Sequence, residues 1–76
     1  MTRAMWIEMK LLECGFHLEQ RDIPGGSSLR LGTGAIVNVY DKGTTMVQGR
    51  LDPRTRAWTL KILRSLLPKD TLWNDA

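Results

Sequence analysis

Few residues of this chain can do chemistry, and they are scattered. His17 is the only histidine and Cys14 the only cysteine. A structural zinc site needs four nitrogen or sulfur ligands, and no second pair exists to complete one. No metal or cofactor is therefore expected. His17 could serve as a general base in a nuclease, but no nucleophile–base pair and no paired carboxylates accompany it. A lone histidine on a strand is more often polar surface. "GGSSLRLGTG" is glycine-rich, yet no Gly-Lys-Ser/Thr follows and no helix opens there, so it reads as turns rather than a phosphate loop. No catalytic residue is assigned, and the chain is read as a non-enzyme.

Recognition chemistry is better represented. The stretch "AIVNVYDKGTTMVQGR" reads as a β-hairpin with two unlike faces. Val37, Val39 and Val47 alternate onto one face; Ile36, Asn38, Tyr40, Met46 and Gln48 fall on the other. "DKG" fits a three-residue loop in which Gly43 supplies the left-handed residue of a bulge. That sets Asn38 opposite Met46, Ile36 opposite Gln48, Val37 opposite Val47 and Val39 opposite Thr45, with Tyr40 opposite Thr44. A solvated sheet face would carry charges and threonines. This one carries two amides, a phenol, a thioether and an isoleucine.

The remaining elements position that hairpin. Thr2 to Cys14 reads as a helix with Thr2 as N-cap, Ala4, Ile7, Leu11 and Cys14 as its buried stripe, and Gly15 ending it. Trp6 and Trp58, both at helical spacings, read as packing residues rather than as a cofactor box. "FHLEQRD" alternates as a half-buried strand, with Phe16 and Leu18 inward and His17, Glu19 and Arg21 outward. After the "IPGGSS" turn, Leu29 and Leu31 face inward and Arg30 outward. In "LDPRTRAWTLKILRSLL", Asp52 is the expected cap and Pro53 the first helical residue. Trp58, Ile62, Leu63 and Leu66 form the expected buried stripe, and Pro68 ends the helix. Residues 67 to 76 are read as a short tail, with Trp73 able to fold back. The expected fold is α+β: helix, four strands, helix, an antiparallel sheet with both helices on the valine side and the other face open.

Length and composition agree with one domain spanning residues 1 to 76. A chain this short buries only about 60% of its unfolded surface, so its core is thin. It is 42% hydrophobic and 25% charged, as globular domains are. The most apolar run, near Ala4 to Leu12, is interrupted by Glu8 and Lys10, and a membrane span needs about 20 apolar residues. With no cleavable leader pattern at "MTRAMWIEMK" and a single cysteine, a cytoplasmic location is expected. The net charge of +3 is concentrated late: from Arg50 onward, six basic residues stand against three acidic ones. Such a balance permits contact with phosphates or with acidic protein surfaces.

The segment "GAIVNVYDKGTTMVQGRLDPRTRAWTLKILRSLLP" resembles the second half of one repeat of the TATA-binding-protein fold. The likeness is nearest to the N-terminal substrate-binding domain of the third type of bacterial ribonuclease H. There a strand, a tyrosine, a small glycine-containing turn and a hydrophobic-Gln-Gly ending recur, as in "VNVYDKGTTMVQG". "IPGGSSLRL" resembles the segment before it. The resemblance covers residues 23 to 67. It implies an open sheet face that binds nucleic acid, with Asn38, Tyr40, Met46 and Gln48 on it. It does not imply cleavage, because the ribonuclease's catalytic domain has no counterpart here. The two-repeat saddle and the phenylalanine wedges of the TATA-binding protein are also missing.

The expectation is a small non-enzymatic module that binds nucleic acid (DNA, RNA or hybrid). Asn38, Tyr40, Met46 and Gln48 form its face, and Arg30, Lys42 and Arg50 its rim, with Arg21 within reach. The alternative is a protein-interaction or self-associating subunit using the same face. A third reading is a minimal ribonuclease toxin, although such toxins carry "GSH" where this chain has "GGSS".

Overall fold

The structure is a computed structural model and describes residues 2–75. Helix α1 spans Arg3–Glu13. The Thr2 hydroxyl accepts the Met5 N–H at 3.1 Å and so caps the first turn. Gly15, at φ +95°, takes the left-handed conformation that lets the chain leave the last turn. Ile7 and Leu11 are the fully buried residues of α1. Cys14, expected on the same stripe, is exposed. It is the C-cap, the last residue with helical backbone before Gly15.

Strands β1 (Leu18–Ile23), β2 (Gly26–Leu31), β3 (Ala35–Tyr40) and β4 (Thr45–Gly49) follow as an antiparallel meander. Helix α2 (Arg56–Leu66) then leads to β5 (Leu72–Asp75). β5 lies beside β4 and runs parallel to it, so the sheet is five-stranded and mixed, in the order β1-β2-β3-β4-β5. This corrects the expected four-strand antiparallel sheet, and it makes a strand of part of the segment expected as a short tail. Parallel neighbours need a crossover connection, and α2 supplies one between β4 and β5.

The start of α2 also differs from expectation. Asp52 does accept the Arg54 N–H at 3.0 Å, but this closes a turn ahead of the helix, whose N-cap is Thr55. Starting at Arg56 turns the helix so that Thr59 and Leu63 face the core, with Leu67 buried just beyond. Trp58 is left 45% exposed rather than in the stripe. It lies against Phe16, ring centroids 4.7 Å apart, and roofs that side of the core.

The hairpin register is the expected one: Val37 pairs with Val47, Asn38 with Met46, Ile36 with Gln48 and Val39 with Thr45. The Tyr40 N–H donates to the Thr44 carbonyl at 2.8 Å, and Gly43 sits at φ +103°. The three valines join Leu29, Leu31, Ile7, Leu11 and Leu63 in one core cluster, so both helices cover the valine face. Slipping the hairpin by one residue would move each valine into water, at about 1.5–3 kcal/mol apiece. That sum approaches the whole stability of a small domain. At the far end of the hairpin, Gly34 (φ +98°) lies against the backbone of Arg50 and Leu51. A Cβ there would overlap the Arg50 carbonyl oxygen.

Arg3, the first residue of α1, reaches across to the hairpin. It donates to the Gly43 carbonyl and the Thr45 hydroxyl, both at 2.8 Å. α1 is thereby fastened to the β3–β4 loop. Among the described residues, no helix is long and apolar enough to cross a membrane.

Two outcomes check this packing. Gly34→Ala meets both a positive φ and a backbone clash, so it should destabilise by more than about 1 kcal/mol, read as a lower denaturation midpoint with unchanged slope. The Thr59 hydroxyl is buried without a hydrogen-bond partner. Thr59→Val should raise the urea midpoint by an amount worth about 1 kcal/mol, because an unpaired buried donor is removed.

Candidate functional site

The sheet registers set out the face opposite the valines in three cross-strand rows. The first is Glu19–Arg30–Ile36–Gln48–Asn74, the second Arg21–Ser28–Asn38–Met46–Leu72. The third runs Ile23–Gly26–Tyr40, with Thr44 beyond. Side chains in neighbouring positions of such rows lie about 4.5–5.5 Å apart at Cβ. The sequence-predicted residues Asn38, Tyr40, Met46 and Gln48 are thus adjacent, with Ile36 beside them and Arg30 next to Ile36. β5 adds Leu72 and Asn74, which sequence reasoning missed. Leu72 is 54% exposed and touches the row through Met46.

The middle row carries the most unusual chemistry. Asn38 is only 5% exposed and its cross-strand partner Ser28 only 7%. Neither side chain hydrogen-bonds to another described residue. Neither is among the fully sealed polar atoms, which are those of Thr33 and Thr59. Their polar tips therefore reach the surface at the floor of the face, between larger neighbours. Asn38 offers both a donor and an acceptor there. Sequence reasoning placed Asn38 as a surface contact; the structure makes it a recessed one. A polar pair held this way is worth less to the fold than an apolar pair would be.

The cations are spread out. Arg30 is exposed in the first row. Lys42 lies in the β3–β4 loop and Arg50 just past the opposite end of β4. Five or six strand residues separate the last two, roughly 20 Å at about 3.3 Å per residue. Such a gap is too wide for one small anion and fits a series of phosphates. Arg21 is less available, since its guanidinium pairs with Glu19 at 2.7 Å on the outer strand.

At the Tyr40 end the face deepens into a cleft of about 570 Å³, lined by Pro24, Gly25, Tyr40, Lys42, Met46 and Leu72, with Asp41 and Thr44 at its edge. Three local choices make it. Gly26 faces Tyr40 without a side chain, and a Cβ there would run into the Val39 carbonyl and the Tyr40 backbone. The β1–β2 turn holds Pro24 against this end, because the Asp41 N–H donates to the Gly25 carbonyl at 2.8 Å. Arg3 fixes the adjoining loop from the other side.

His17 and Cys14 lie outside this region: His17 precedes β1 and Cys14 ends α1, both exposed. The Gly32 N–H donates to the His17 backbone carbonyl at 2.7 Å. Trp73 sits on the valine side of the sheet opposite Val47, with the Arg64 guanidinium 4.7 Å above its ring. It is a packing residue of the helix layer.

If Asn38 is kept at the expense of the fold, replacing it should help the fold. Asn38→Val places a β-branched side chain in a central strand and removes an unpartnered amide. It should add about 1 kcal/mol, a rise of about 4–8 °C in Tm for a domain of this size, measured by calorimetry. Compared with protein-family models, curated proteins and solved structures, the chain matches none.

Proposed function

We propose that this domain is a non-enzymatic module that binds nucleic acid through its open sheet face. One observation carries the reading: recessed, unpartnered Asn38 and Ser28 lie beside Tyr40 and Met46, between cations at both ends of the hairpin. Amides and hydroxyls at a floor read base edges or sugars, a half-buried aromatic stacks a base, and separated cations meet successive phosphates. Gln48 and Ile36 extend the surface, with Arg30, Lys42 and Arg50 as its rim. The resemblance of "VNVYDKGTTMVQG" to the nucleic-acid-binding face of TATA-binding-protein-like domains points the same way.

Titration with short oligonucleotides, followed by NMR, tests this. Signals of Asn38, Tyr40, Met46 and Gln48 should shift together, and binding should fall steeply with salt. Arg30→Ala and Arg50→Ala should each lower the slope of log K against log salt by about one. Shifts confined to the α2 arginines, or no binding at low salt, would refute the reading. The same samples, with and without magnesium, should show no cleavage of labelled single-stranded, duplex or hybrid substrates. Turnover abolished by His17→Ala would instead support a ribonuclease.

A second reading has its own observation. α1 turns Met5, Met9 and Leu12 to solvent along its outer side; Met5 is 55% and Leu12 53% exposed. Exposed apolar stripes of this kind suit protein contacts. Under this reading the α1 signals broaden as protein concentration rises, and oligonucleotides leave the sheet unmoved.

A further inference from the structure

We propose that the cleft beside Tyr40 is a subsite for one unpaired nucleobase, so that the open face selects single strands over duplex. This deepens the reading of the face as a nucleic-acid surface and rests on it. The base stacks on Tyr40, its edge meets the Asn38 amide, and its phosphate lies near Lys42.

Four features lead there. The cleft of about 570 Å³ lies within the 300–1,000 Å³ typical of small-ligand sites, large enough for a nucleotide unit. Its walls are a flat ring, a proline, a thioether and the leucine side chain of β5, the surroundings a planar, weakly polar ring prefers. Asn38 lies just outside the lining, next to two residues that form it: it pairs with Met46 across the strands and stands two residues before Tyr40 on β3. Asn38 is nine-tenths buried and holds an unspent donor and acceptor. Lys42 and Asp41 both line the cleft, so their charges offset each other, which suits a neutral base inside, with the Lys42 ammonium the one cation of the lining for a phosphate.

An apolar protein side chain would also fit the walls. It would leave the Asn38 amide unpartnered and would have no use for Lys42. A duplex cannot fill the cleft without extruding a base, at a cost of a few kcal/mol.

The test uses the full chain and single-stranded hexanucleotides, intact or with one abasic position moved along the strand, beside a duplex of the same sequence. One abasic position should weaken binding by about 5- to 150-fold, the equivalent of about 1–3 kcal/mol for one stacked base. The duplex should bind at least about tenfold more weakly than the single strand. Tyr40→Ala should lose the same factor and bind intact and abasic strands alike, while Tyr40→Phe keeps the preference. Leu72→Glu, at an exposed wall position, should act like Tyr40→Ala without threatening the fold. Asn38→Val should weaken binding while raising Tm.

Uniform binding of intact and abasic strands would overturn the base subsite while leaving the nucleic-acid face standing. So would equal affinity for duplex, or a preference for intact over abasic strands that survives both Tyr40→Ala and Leu72→Glu. Loss of all oligonucleotide binding by the unaltered chain would remove both.

Discussion

The register of the β3–β4 hairpin is the constraint on which both faces of the sheet depend. Side chains alternate along a strand, so a single offset decides which set is buried and which is displayed. Three valines hold that offset from one side, through burial against Ile7, Leu11 and Leu63. Two glycines hold it from the ends. Gly43 closes the loop with its positive φ, and Gly34 permits the backbone to pass against Arg50 and Leu51. Asn38, Tyr40, Met46 and Gln48 fall together on the open face, Asn38 recessed and the others half-buried, because Val37, Val39 and Val47 are buried as one on the opposite face.

The helix layer then stiffens what the register sets. Arg3 ties the start of α1 to the loop that follows Tyr40, and the Asp41–Gly25 bond ties that loop to the β1–β2 turn. Three separate chain segments are thus held around one cleft. A loop fixed at both sides can present Tyr40 and Lys42 in one arrangement, which lowers the ordering cost of binding. Elsewhere the small core leaves large side chains uncovered. Met5, Met9, Leu12 and Trp58 are all exposed, because two eleven-residue helices cannot both seal one sheet face and hide their own outer sides. The two surfaces are physically separate, so occupying one leaves the other open.

The open face is also where the local rules of stability are broken. A central strand favours β-branched or aromatic residues, and β3 places an asparagine between Val37 and Val39. Its amide faces Ser28, and neither side chain has a hydrogen-bond partner among the described residues. Such departures tend to collect at sites used for something other than folding. Thr59 is the contrasting case. Its unpartnered hydroxyl is sealed inside the helix–sheet interface, where no ligand can reach it.

Much of this was legible in the residue order. The valine alternation and the glycine-closed loop contain the hairpin register, because both act over a few residues and each admits one solution. Thr2 and Gly15 mark the ends of α1 for the same reason: a cap is a local hydrogen bond or a local φ. Other features were not legible. "TLWN" is too short to show alternation, and it becomes a strand only because α2 returns the chain alongside β4. With β5 come Leu72 and the outer wall of the cleft. The face of α2 depends on a helix start three residues past Pro53, since each residue of shift turns the buried side by about 100°. Trp58 moved outward for that reason. The recessed setting of Asn38 could not be read either. Its exposure is set by neighbours on β2 and β4, residues distant in the chain and brought beside it only by the sheet.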